Sequence, residues 1–200
     1  VLKYFEMAVK ELLSGAERVI KSIDRGSVEE FIRTLVEARK KRRKVFIVGS
    51  GRSGLVGKAF ALRLMHLGFN TYVAGETIIP ALKRGDIVVA ISGSGMTKTV
   101  VALAEAAKEI GVKVIAVTSH PDSKLGRIAD QVVVIKGRTK VAEERNYEIR
   151  QLIGEHESLA PLGTMFEVSA MIFLDSVIAE LMRRLGVTEE EMRKRHAVVE

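Results

Sequence analysis

The sequence predicts an α/β fold: a five-stranded parallel, doubly wound sheet with helices on both faces and extra helices at the N- and C-terminal ends. Three observations carry this. Short apolar runs recur at 45–48, 72–73, 87–91, 112–117 and 132–135. They are apolar nearly throughout and do not alternate, as in strands buried on both faces of a parallel sheet. Helical stretches at 53–67, 97–110 and about 123–129 lie between them, and strand–helix alternation is the pattern of a doubly wound sheet. The expected strand order is the flavodoxin-like 2-1-3-4-5 with right-handed crossovers.

The elements follow in chain order within one domain, 1–200. Residues 1–44 read as two helices. Leu2, Phe5, Val9, Leu12, Leu13, Ala16, Val19, Ile20 and Ile23 fall at helical spacing over 2–23. Ser27 with Glu30 has the form of a capping box, which predicts the start of the second helix. That helix ends in the run RKKRRK, 39–44, where cations suit the negative end of the helix dipole. Residues 45–135 form the sheet core. Residues 136–160 read as a long charged connection with sparse, weakly periodic apolar residues and at most one helical turn. Residues 161–200 supply the last helices: an apolar one over about 164–185, then a short one capped by Thr188 with Glu191. The first helix and the helix at 164–185 carry more apolar surface than a five-stranded sheet needs, which predicts a subunit contact. No internal repeat is present.

Composition excludes several function classes. Cysteine is absent, which removes disulfides, thiolate catalysis and cysteine-based metal centres. The four histidines, at 66, 120, 156 and 196, are far apart in sequence, so no metal site is expected. No uncharged apolar run reaches the roughly 18 residues of a spanning helix, and no secretory signal opens the chain. The expected location is cytoplasmic, with no membrane partner. The net charge of +7 suggests nucleic acid at first sight, but six of those charges are the run 39–44. No aromatic residues interleave that run to stack bases, so no nucleic-acid partner is expected. Asn and Gln together number four, beside 32 Lys and Arg and 25 Asp and Glu. Few thermolabile and many charged residues is a hyperthermophile composition.

The chemistry is concentrated in two loops. The first strand runs into Gly49-Ser50-Gly51-Arg52-Ser53-Gly54, and the third into Ser92-Gly93-Ser94-Gly95-Met96-Thr97. Each loop opens a helix, so both lie at the carboxyl edge. In the order 2-1-3-4-5 they face each other across the switch point where such sheets bind ligands. Glycine lets the backbone approach an anion, and helix N-termini offer free N–H groups and positive potential. Ser50, Ser53, Ser92, Ser94 and Thr97 add hydroxyls, and Arg52 adds a donor fork suited to phosphate. Gly51 and Gly95 complete the predicted phosphate-binding set. A competing reading is tight turns alone. A second is the dinucleotide fingerprint G-x-G-x-x-G, formed by Gly49, Gly51 and Gly54, with Glu76 as the acid for a ribose. Arg52 in the loop and a second serine-rich loop without a task weigh against it.

The segments VGSGRSG (48–54), RLMHLGF (63–69), GETIIP (75–80), ISGSGMT (91–97), PLGTMFE (161–167) and RH (195–196) together resemble the sugar isomerase (SIS) domain family. Within it they are most similar to the 6-phospho-3-hexuloisomerases. The stretch 137–158 is longer and more charged than the family pattern. The resemblance implies an isomerase that interconverts 3-hexulose 6-phosphate and fructose 6-phosphate through an enediol, with no metal or cofactor. It also implies dimers or tetramers with sites at subunit boundaries. Related activities are arabinose 5-phosphate isomerisation and non-catalytic phosphosugar binding.

Such chemistry needs a base to move one proton between adjacent carbons, donors at the two oxygens and an anchor for the phosphate. Glu167 heads the apolar stripe of Met171, Leu174, Ile178 and Leu181 and is the candidate base. Thr164 and Glu167 also spell a capping box, in which the carboxylate would serve its own helix; the PLGTMFE match favours the base. His196 by itself reads as a terminal surface residue. The resemblance to arabinose 5-phosphate isomerases implies ring opening or proton transfer, in its own subunit or a neighbour's. Glu76, in GET after the second strand, is a further acid/base candidate. His66 reads as a packed histidine, and Asp175 as a paired polar group at a subunit contact.

Overall fold

The computed structural model describes residues 2–137, 159, 161 and 163–196; the predicted connection thus lies almost wholly outside the described residues. Helices α1 (Lys3–Ser22) and α2 (Arg25–Lys40) precede strand β1 (Lys44–Gly49). Then follow α3 (Gly51–His66), β2 (Asn70–Val73), β3 (Ile87–Ile91), α4 (Lys98–Glu109), β4 (Lys113–Thr118), α5 (Lys124–Ile128) and β5 (Gln131–Val134). Helices α6 (Thr164–Leu185) and α7 (Glu189–Arg193) are the last elements among the described residues. The sheet order is β2-β1-β3-β4-β5 and every pair is parallel, as the strand pattern predicts.

The period of two in the strands sorts the core into two layers. Val45, Ile47, Ile87, Val89, Ile91, Ile115 and Val117 point toward α2, α3 and α6, where Phe31, Leu35, Phe60, Leu64, Phe173 and Leu181 are buried. The Phe31 and Phe173 rings stack with centroids 5.9 Å apart. Phe46, Val48, Val88, Ala90, Val114 and Ala116 point the other way, onto Val100, Ala104 and Leu125 of α4 and α5. Helix α1 packs on α6 but leaves Tyr4, Phe5, Met7, Val9 and Leu13 exposed.

Two helix starts differ from the sequence reading. Helix α2 is capped by Asp24, whose carboxylate accepts the Ser27 N–H at 2.7 Å. Ser27 is the third residue of the helix and its hydroxyl donates to the Asp24 carbonyl. The aspartate three residues upstream takes the position that the Ser27–Glu30 pattern claimed. At α6 the cap is Gly163, and Thr164 is already helical. The Thr188–Glu191 capping box of α7 forms in full.

The amino edge of the sheet carries the basic run. Lys41 and Arg43, with Lys113, Thr34 and Gly85, line a depression of about 250 Å³ at the starts of β1, β3 and β4, opposite the glycine-serine loops. Asp86 anchors this edge. It is buried and accepts the N–H groups of Lys44 at 2.9 Å and Lys83 at 3.0 Å, with the Lys44 ammonium 3.1 Å away. Burial pushes its carboxyl up, but the two N–H donors and the ammonium outweigh burial and hold it below the usual carboxylate range. A folded value below the unfolded one stabilises the protein above the unfolded value, and that stabilisation is lost as pH falls. Asp86→Asn is expected to cost about 2 kcal/mol at neutral pH. It should also flatten the loss of stability below about pH 4, read by urea unfolding across a pH series.

Candidate active site

Parallel pairing sets Gly49 of β1 against Ile91 of β3, so the two loops leave the sheet side by side. In the first loop a Cβ on Gly49 would lie 2.9 Å from the Gly54 Cα. The G-x-G-x-x-G spacing therefore has a packing cause: its outer glycines press backbone on backbone. Gly51 has φ +56 and opens α3. In the second loop Gly95 has φ +63, and a Cβ there would lie 1.9 Å from the Ser123 Oγ. The buried Ser92 shares a 3.0 Å hydrogen bond with Thr97, and the Ser94 hydroxyl accepts the Met96 N–H.

Between the loops lies a cavity of about 190 Å³. Ser50, Gly51, Arg52, Ser53, Ser92, Ser94, Thr97 and Glu167 line it, joined by Ile91, Gly93, Gly163 and Phe166. Eight predicted site residues are thus brought together from three parts of the chain. Gly95 shapes the loop from behind, against Thr118 and Ser123. The four additional lining residues lie inside the recognised motifs, Ile91 and Gly93 in ISGSGMT and Gly163 and Phe166 in PLGTMFE.

Three helix starts converge here: the first turn of α3, the Thr97 cap of α4 and the Gly163 cap of α6. None of the three has a side-chain cap hydrogen bond. Of the helices that open elsewhere, α2, α5 and α7 are capped, by Asp24, Ser123 and Thr188, and α1 is not. A missing side-chain cap costs about 1 kcal/mol per helix. Three such omissions at one cavity leave its N–H groups and positive end charges for an anion.

Glu167 lies in the first turn of α6 and is 8% exposed. Its side chain caps nothing: the Thr164 hydroxyl donates to the Pro161 carbonyl at 2.6 Å. The Glu167 carboxylate instead accepts from Arg52 Nε across the cavity. Arg52 and Glu167 are the two charged side chains among the lining residues. The cavity therefore offers a sequestered carboxylate, a guanidinium, five hydroxyls and three helix N-termini. That set fits a small polyhydroxylated anion.

Two predicted residues lie elsewhere. Glu76 is exposed and pairs with Lys58 Nζ at 2.7 Å. It follows β2, an edge strand on the far side of β1 from β3, and lines none of the cavity. The cavity's 190 Å³ lies below the range of about 300–1,000 Å³ for drug-sized ligands. His196 lines a separate cavity of about 470 Å³ with Arg63, His66, Asp175, Glu189 and Met192. Its ring centroid is 5.0 Å from that of His66, and His66 is buried, as expected. From Arg52 to Arg63 and His66 along α3, and from Glu167 to Asp175 and Ile178 along α6, the helical rise separates the linings of the two cavities by roughly 12–21 Å. Among the described residues no cluster of three or more His, Asp or Glu is arranged to hold a metal ion. No described helix is long and apolar enough to cross a membrane.

Comparison with known proteins shows the family and the fold. Residues 39–151 match the family model described as SIS domain. The chain is 57% identical over 181 residues to an uncharacterized protein of Aeropyrum pernix, covering 90% of this chain and 85% of that one. It is 39% identical over 157 residues to the 3-hexulose-6-phosphate isomerase of Bacillus subtilis, covering 78% and 80%. A Methanococcus jannaschii protein, whose 2.0 Å crystal structure infers a molecular function of 3-hexulose-6-phosphate isomerase, superposes with a TM-score of 0.76. The two are 34% identical, over 96% of this chain and 98% of that one.

Proposed function

The chain belongs to the SIS domain family, and from that premise we propose that it interconverts 3-hexulose 6-phosphate and fructose 6-phosphate through an enediol, without metal or cofactor. The observation that carries the reading is the buried Glu167 carboxylate opposite two uncapped, hydroxyl-rich helix starts in a cavity of sugar-phosphate scale. The 39% identity to the Bacillus subtilis isomerase supports the choice of substrate.

Serving as base, Glu167 takes the proton from C2 of the 3-hexulose. Electrons of that C–H bond form the C2–C3 double bond, and the C3 carbonyl oxygen gains a proton from solvent, to which the C2 hydroxyl proton is later returned. Glu167 then returns a proton to C3 as the C2 hydroxyl proton leaves, and C2 becomes the carbonyl. Ser50, Gly51, Arg52, Ser53, Ser92, Ser94 and Thr97 hold the phosphate, and Gly95 sets the second loop. The exposed apolar face of α1 supports self-association as dimers or tetramers. A neighbouring subunit would then bring His196 to the sugar; Glu76 retains at most a peripheral acid/base role.

The test is a turnover panel of 3-hexulose 6-phosphate, arabinose 5-phosphate and fructose 6-phosphate in deuterium oxide. Conversion of the 3-hexulose with deuterium entering at C3 of fructose 6-phosphate is the expected result. Turnover of arabinose 5-phosphate alone would reassign the substrate. Binding without exchange would make the chain a non-catalytic phosphosugar-binding protein.

A further inference from the structure

The ion pair inside the cavity sets a problem that the phosphosugar reading, on which this inference rests, leaves open. A guanidinium has five N–H donors and can touch both groups, but a phosphate that takes its Nε–Nη2 edge must take Nε from the base. Arg52 Nε is committed to Glu167. A carboxylate engaged in a charge-assisted hydrogen bond is a poorer proton acceptor than a released one.

The two partners are not equally mobile. Glu167 is fixed: it stands in the first turn of α6, its side chain is 10% exposed, and Phe166 beside it is buried in the core. Arg52 is the second residue of α3, and its side chain is 63% exposed. An exposed arginine reorients freely, whereas a carboxylate on a packed helix does not. The guanidinium is therefore the moving part. A phosphate dianion seated on the uncapped α3 and α4 starts presents more charge than one carboxylate, in a geometry that matches the guanidinium fork.

We propose that Arg52 is a phosphate-operated latch on Glu167. In the empty cavity it holds the carboxylate; when the phosphate group seats, Arg52 transfers to it and Glu167 is released toward the sugar carbons. Binding of the non-reacting phosphate end is thereby coupled to readiness of the base, and an unphosphorylated sugar leaves the latch closed. Arg52 acts here as a positioning residue.

The exchange predicts an unusual coupling. Glu167→Gln removes the competitor for Arg52, so inorganic phosphate should bind about tenfold more tightly than to wild type. Arg52→Ala should weaken phosphate by a similar factor. In the Arg52→Ala background, adding Glu167→Gln should change phosphate affinity by less than about twofold. Calorimetric titration of inorganic phosphate into the four proteins, with circular dichroism as a check on folding, reads the cycle; Arg52→Gln replaces Arg52→Ala if the latter is unfolded. The latch is overturned if Glu167→Gln fails to tighten phosphate, or if it tightens it equally without Arg52, which would be simple relief of charge repulsion. Failure of the wild type and of Glu167→Gln to bind phosphate at all would remove the phosphate site itself, an outcome distinct from a bound but uncoupled phosphate.

Discussion

Glu167→Gln is expected to lower kcat by about three orders of magnitude and leave the fold intact. General base catalysis contributes about 10²–10⁴-fold, and glutamine keeps the volume of glutamate while removing its proton acceptor. The helix should tolerate the change, because the Glu167 side chain does not cap α6. Arg52 is left without its carboxylate but is exposed to solvent, so no buried charge is stranded. Steady-state kinetics on 3-hexulose 6-phosphate, thermal melting and phosphosugar binding separate the effects. A variant that melts as wild type and still binds phosphosugar but fails to turn over places the proton transfer on Glu167. A variant at full rate would move the base elsewhere and leave Glu167 as the arginine's counter-ion.

The same residue shows where sequence reading succeeds and where it stops. Strand and helix positions were legible because each buried strand is a continuous apolar run and each helix repeats at 3.6 residues. The two loops were legible because glycine and serine after a buried strand have few other uses. Helix caps were less so. The pattern Thr164-x-x-Glu167 is a valid capping box on paper, yet the helix starts one residue earlier, and a tertiary partner 115 residues away takes the carboxylate. Ser27-x-x-Glu30 failed in the same way, because Asp24 caps three residues upstream. Local patterns do not register which distant group competes for the same atom. Glu76 was drawn to the site by its place after a strand. The sheet order then put that strand at the edge, and Lys58 on the neighbouring helix claimed the carboxylate. The net charge of +7 pointed toward an anionic partner, but most of it sits at the amino edge. The positive end that faces the cavity comes from three uncapped helices, which no count of charged residues reveals.

Mixing Glu167→Gln with His196→Ala is expected to restore activity that neither variant has alone. Within one chain His196 lies beside His66, which the helical rise puts roughly 21 Å along α3 from Arg52 of the cavity that holds Glu167. No rotation of an imidazole spans that gap. If His196 serves the reaction, a symmetric pair of subunits must exchange it, each providing its own Glu167 and receiving the other's His196. In a mixed pair one site then carries both defects and the other carries none. After denaturation and refolding of equal amounts, half of the pairs are mixed, so about a quarter of the wild-type activity should return. Recovery should track the formation of mixed pairs, followed with a mass tag on one variant. If His196→Ala alone is inactive and mixing restores nothing, the histidine acts within its own chain. If His196→Ala alone is fully active, the histidine has no part in the chemistry.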